Sequence, residues 1–148
     1  MLALWVGGIT LFTFVITPVI FNSYSRDMAG EMVGRLFPVY FLYNLILSLL
    51  ALIFFLIPWK DISDISRNWF RLSLFCLIIA FFINIFVCFK LHPEIKEIKK
   101  EIHSFENLAS KDSLRIKFRR LHGISAVLNL LLLADGATLL LIGTVIKK

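Results

Sequence analysis

Residues 124–146 read ISAVLNLLLLADGATLLLIGTVI, an apolar run interrupted near its middle by one carboxylate, Asp135. A run of about 20 such residues crosses about 30 Å of hydrocarbon at about 1.5 Å per residue. Backbone polar groups in lipid must bond within their own segment, so the run predicts a helix. Working back towards the N-terminus, three similar runs occur at about 69–89, 37–59 and 2–21. Trp59 closes one run and Trp69 opens the next, where indoles suit a membrane interface. The prediction is an all-α integral membrane four-helix bundle, one domain over residues 1–148.

Composition agrees. Hydrophobic residues make up 59% of the chain and charged residues 18%, against about 45–50% and about 25% in soluble domains. Four spans leave no length for a separate soluble domain. A net charge of +6 would suggest nucleic acid in a soluble protein. Here the charge concentrates in one loop, so it points to topology and anionic lipid, and no nucleic-acid partner is expected. Cys76 and Cys88 fall in one run, about 18 Å apart along a helix, too far to pair within it. They read as small apolar side chains. The first run is too long for a signal-peptide core and lacks a basic lead and a small-residue cleavage site, so a retained span is expected.

Lys and Arg set the orientation. Arg26 and Arg35 lie in the first loop, and Lys90, Lys96, Lys99, Lys100, Lys111, Arg115, Lys117, Arg119 and Arg120 lie in or beside the third. Only Lys60, Arg67, Arg71, Lys147 and Lys148 fall on the other side. The positive-inside rule places the first and third loops in the cytoplasm and both termini outside. The third loop carries two helical stripes, Ile95, Ile98, Ile102 and Phe105, then Leu114, Phe118 and Leu121. Helix three is expected to run on to about Phe105, and helix four to start near Asp112, a suitable N-cap. The two extensions would form a cytoplasmic hairpin with its tip at Asn107 to Lys111. An amphipathic segment lying on lipid is the alternative. Pro93 is expected to kink or break helix three, Pro18 to kink helix one, and Pro38 to sit in the first turn of helix two. Gly30 and Gly34, in a loop from Asn22 to Leu36, suggest close packing of a short interfacial helix.

Polar residues within the runs are the candidates for chemistry. Asp135, near the bilayer centre, must be protonated, paired or facing a wet cavity, which makes it a candidate cation or proton site. Its structural alternative is a neutral carboxyl bonded to another helix. Asn44, Asn84 and Asn129 are expected to face inward, either as interhelical hydrogen bonds worth about 1 kcal/mol each or as members of the same ion site. Asn129 and Asp135 only partly share a helix face. His92 and His122 lie near the cytoplasmic membrane surface on helices three and four, where they could approach each other and hold a metal or haem. Interfacial hydrogen bonding is the alternative, and His103 is read as solvated. No phosphate loop, HExxH motif, or Ser/His/Asp or Cys/His arrangement occurs, so enzymatic chemistry is not expected.

Trp5-Val6-Gly7-Gly8, Pro18-Val19-Ile20-Phe21, Ala29-Gly30 with Gly34, and Leu36-Phe37-Pro38-Val39-Tyr40-Phe41 resemble the opening of the transmembrane-protein-205-like family, whose bacterial members form domain of unknown function 4149. Phe118-Arg119-Arg120-Leu121-His122-Gly123-Ile124-Ser125, followed by Asn129, is similar to the family's last helix. The resemblance implies a four-helix protein of a bacterial inner membrane, with Trp5, Gly8, Pro18, Gly30, Phe37, Pro38, His122 and Asn129 as pattern positions and a hint of metal or small-molecule handling. Asp135 matches no pattern position. Three functions follow as expectations. One is non-enzymatic handling of a small cation or metal, in a homo-oligomer or as a subunit of a membrane complex. The second is a haem- or quinone-associated redox subunit. The third is a scaffold that docks a cytoplasmic partner through the hairpin.

Overall fold

The computed structural model describes residues 1–57, 64–102 and 112–146. Every element among them is helical, and they form four long helices. Helix α1 spans Leu2–Ser23 and α2 spans Arg26–Leu56. Helix α3 covers residues 64–101, and α4 spans Ser113–Ile146. All four are long and apolar enough to cross a membrane, which supports a membrane protein. The hairpin tip at 107–111, His103, Phe105, Trp59, Lys60, Lys147 and Lys148 lie outside the described residues.

The first connection is shorter than the sequence suggests. Tyr24 is extended, and Ser25 caps α2 by accepting from the Met28 amide. Asp27 in the first turn suits the positive end of the helix dipole. The loop expected from Asn22 to Leu36 is therefore helix from Arg26 onward. Pro38 consequently lies inside α2 and not in its first turn. Gly30 and Gly34 sit on the same continuous helix. What holds this polar stretch helical is a buried stripe, Ala29, Val33, Tyr40, Asn44, Leu47 and Ala51, at three- and four-residue multiples.

Pro18 and Pro93 share one solution. A proline ring collides with the carbonyl four residues before it in a regular α-helix. Before each of these prolines the helix opens into a π turn, at Phe12–Ile16 in α1 and Val87–Leu91 in α3. The wider turn makes room for the ring, and α-helix resumes with the proline in its first turn. The Thr17 hydroxyl reinforces the first turn by donating to the Phe12 carbonyl at 2.9 Å. Pro93 thus neither breaks α3 nor ends it. The helix stops at Glu101, short of Phe105, where Ile102 turns extended. Asp112 caps α4 as expected, its Oδ1 accepting from the Leu114 amide at 2.8 Å.

The interior is mainly apolar with a few polar side chains, and the exterior is apolar as well. Trp5 and Ile9 are wholly buried, and so are the polar side chains of Asn44, Ser48, Ser73 and Asn84. Large apolar side chains face outward, Val39 at 68% and Phe89 at 69% exposure among them. An apolar exterior of this extent suits lipid.

Candidate functional site

At the end of the molecule where α1 meets α2, the four helices splay around a cavity of about 750 Å³. Three helices contribute a stripe each and the first a single ring. Phe21 comes from α1. Helix α2 gives Arg26, Gly30, Gly34 and Phe37, with Glu31 and Arg35 beside them. Helix α3 gives His92, Lys96, Lys99 and Lys100, and α4 gives Arg115, Phe118, Arg119 and His122. These spacings of three and four put each set on a single helix face. Seven Lys or Arg side chains line the cavity against one acid, Glu31.

That acid is engaged by Arg35 at 2.6 Å on the exposed rim, and Lys100 pairs with Glu97 at 2.7 Å. Lys99 reaches inward, and its ammonium donates to the Gly30 carbonyl. The absence of a side chain at Gly34 permits this, because a Cβ there would lie 2.7 Å from Lys99 Nζ. Pro38 has no N–H to offer the Gly34 carbonyl one turn further along α2. Of the two glycines only Gly34 makes room for the lysine, since a Cβ on Gly30 would meet nothing within 4 Å.

The floor is aromatic. Phe37 lies between the two imidazoles, its ring centroid 6.4 Å from His92 and 6.2 Å from His122. Phe41 meets His92 edge-on at 5.3 Å, and Phe118 stacks on His122 at 5.8 Å. Both histidines expected at the membrane surface therefore belong to one site. Among the described residues no three His, Cys, Asp or Glu converge as metal ligands. A positive wall over an apolar floor can hold an anion that carries an apolar portion.

The other candidates lie deeper and divide into separate groups. The Tyr40 hydroxyl donates to Asn129 Oδ1, and Asn129 Nδ2 donates to Thr13 Oγ1 at 2.8 Å, linking α1, α2 and α4. Among the described residues Asn84 makes no interhelical bond of the kind expected of it, and it donates to the Ala80 carbonyl of its own helix at 3.0 Å. Asp135 does not join Asn129 and faces the Cys76 thiol of α3 instead. Asn44 is buried at 1% exposure beside the Tyr40 network. Of the pattern glycines, Gly8 has a packing reason and Gly30 has open space where a Cβ would stand. A Cβ on Gly8 would meet the Tyr43 ring at 2.5 Å, and the Tyr43 hydroxyl donates to the Leu4 carbonyl at 2.7 Å.

The basic cavity and Thr13 escaped sequence reading, and Tyr40 entered it only within the Leu36-to-Phe41 motif. Lys96, Lys99 and Lys100 on one helix, and Arg115 and Arg119 on the next, are each spaced to share a face, and that was the available signal. Which faces meet is a tertiary matter.

Residues 1–104 match the model of a family described as "Domain of unknown function (DUF4149)". The matched stretch covers α1 to α3, while the similarity read at Phe118–Ser125 and Asn129 lies beyond it. An uncharacterized protein of Aquifex aeolicus (strain VF5) is 29% identical over 144 residues, which are 96% of this chain and 92% of that one. No solved structure matches.

Proposed function

The chain belongs to the DUF4149 family, and from the geometry of its basic cavity we propose that it is a membrane protein that binds a phosphate-bearing anionic amphiphile at the membrane surface. One observation carries this reading: seven cationic side chains and one acid surround an aromatic floor in a cavity of about 750 Å³. Each Lys or Arg near such a surface contributes about 1 kcal/mol of attraction to anionic lipid. The aromatic floor at Phe37 and Phe118 receives the apolar portion, and the lysine and arginine wall receives the headgroup.

The excess of Lys and Arg around this end supports a cytoplasmic placement under the positive-inside rule. The burial of Ile95 and Ile98, together with the contact between the end of α3 and α4, supports the hairpin of α3 and α4 as the wall of the cavity. The opening motifs from Trp5 to Phe41 support kinship with transmembrane-protein-205-like proteins.

The test is native mass spectrometry of the full chain in mild detergent. Phosphatidylglycerol should be retained where phosphatidylcholine is stripped, and Lys96→Gln with Arg119→Gln should remove the difference. Displacement by inorganic phosphate would identify a free phosphate as the ligand, and its failure to compete would identify the lipid headgroup. Equal retention of both lipids would overturn the reading.

A second reading, a haem or quinone held beside His92 and His122, is favoured by both imidazoles meeting the Phe37 ring. A visible absorption spectrum of the extracted protein, before and after reduction, tests the haem. A band lost in His122→Ala would carry the reading, and a featureless spectrum would remove the haem.

A further inference from the structure

Three buried side-chain atoms have no hydrogen-bond partner among the described residues: Trp5 Nε1, Asn44 Oδ1 and Asp135 Oδ2. Trp5 is 0% exposed and Asn44 1%. Leaving such a group unpaired away from water costs about 1–3 kcal/mol, so three in one small protein require an account.

The three come from segments that touch. The Tyr43 hydroxyl donates to the Leu4 carbonyl, which brings the turn of α2 that carries Asn44 against the turn of α1 that carries Trp5. A Cβ on Gly136 would lie 2.7 Å from Val6 Cγ2 and 3.8 Å from Trp5 Cε3, which sets Asp135 and Gly136 of α4 against the same turn of α1. Cys76 of α3 interacts with Asp135.

The chemistry of the three atoms selects their ligand. The indole N–H only donates, while the amide oxygen and the carboxyl oxygen can accept. A metal cation cannot receive the indole proton. An anion is repelled by two oxygens. A water molecule accepts one hydrogen bond and donates two, and two to four polar partners are what an internal water needs. We propose that Trp5, Asn44 and Asp135 enclose a water-binding site inside the helical core. This site is separate from the basic cavity and stands whether or not that cavity binds lipid. It gives Asp135 an interior hydrogen-bond partner without a cation from another helix, and intramembrane carboxyls that meet water are those found on proton and ion paths.

The test is nuclear magnetic resonance of the full chain in lipid nanodiscs, with indole nitrogens labelled. Of the three tryptophan signals, that of Trp5 is identified by its loss in Trp5→Phe. The expected result is a magnetisation-transfer peak between the Trp5 indole proton and water, lost or reduced severalfold in Asp135→Leu and in Asn44→Leu. A native-chain indole proton that shows no water peak, because it is dry or bonded directly to Asn44 or Asp135, would overturn the site. A water peak unchanged in both variants would also overturn it, because the water would then belong to neither partner.

Discussion

The Tyr40–Asn129–Thr13 layer and the basic cavity are both polar regions, built in opposite ways. In the layer, three helices each give one side chain, and donors and acceptors close on one another. In the cavity, α2, α3 and α4 give mainly donors, and the one acidic group lining it is held by Arg35 on the rim. A closed network contributes to stability and has nothing left for a ligand. A surplus of one sign has the converse property, adding little to the fold and attracting a partner of opposite charge. Substitutions in the layer should therefore move stability and spare binding, and those in the cavity should do the reverse.

The sharpest break comes at Gly8. Gly8→Ala puts a methyl group into the Tyr43 ring, and such overpacking costs about 1–3 kcal/mol. Chemical unfolding in detergent should show that loss, with lipid retention unchanged in the protein that remains folded. Next is the cavity itself. Lys96→Gln with Arg119→Gln removes two charges at about 1 kcal/mol each, so affinity for phosphatidylglycerol should fall about 30-fold. The unfolding midpoint should stay in place, and a shift comparable to that of Gly8→Ala would end the distinction between the two regions. Tyr40→Phe removes the donor to Asn129 and should cost about 1–2 kcal/mol, read in the same unfolding experiment. The smallest effect is expected at Gly34. The only atoms a methyl group would meet there belong to the flexible end of Lys99, and alanine is favoured over glycine within helices by about 0.5–1 kcal/mol. Gly34→Ala should leave stability level or slightly raised while displacing the ammonium from the Gly30 carbonyl. A large destabilisation would show that Lys99 holds α2 and α3 together.

Hydropathy located the four apolar stretches, because lipid imposes a length that any reader can count. It placed the start of α2 eleven residues late, since Arg26 to Arg35 is polar on its exposed side. The stripe Ala29, Val33, Phe37, Tyr40 and Asn44 crosses that boundary without interruption and would have extended the helix had periodicity been weighed above mean polarity. Pro38 followed the same error into the wrong turn. Pro93 was legible as a disturbance, but relief by a widened turn upstream depends on how the chain relaxes around the ring. Asp112 was legible as a cap because its reach is local. His92 and His122 line one cavity on either side of Phe37, and their similar depth was readable from the sequence. Asn84 bonding within its own helix, and the convergence of cations from three helices, depend on rotamers and facing surfaces that no local pattern encodes.

The π turn at Val87–Leu91 has a rotary consequence. It holds one more residue than an α turn, and each residue advances a helix by about 100°. Everything beyond it in α3 is thereby dialled round by that angle relative to the stretch before it. The buried stripe ahead of the turn, Phe70, Ser73, Leu77, Ala80 and Asn84, and the lysine stripe after it are two sectors of one rod, set in phase by a single surplus residue. Loss of any one residue between 87 and 91 would swing Lys96, Lys99 and Lys100 off the cavity together while leaving every upstream contact in place, so the length of five residues, more than their identity, aims the charge.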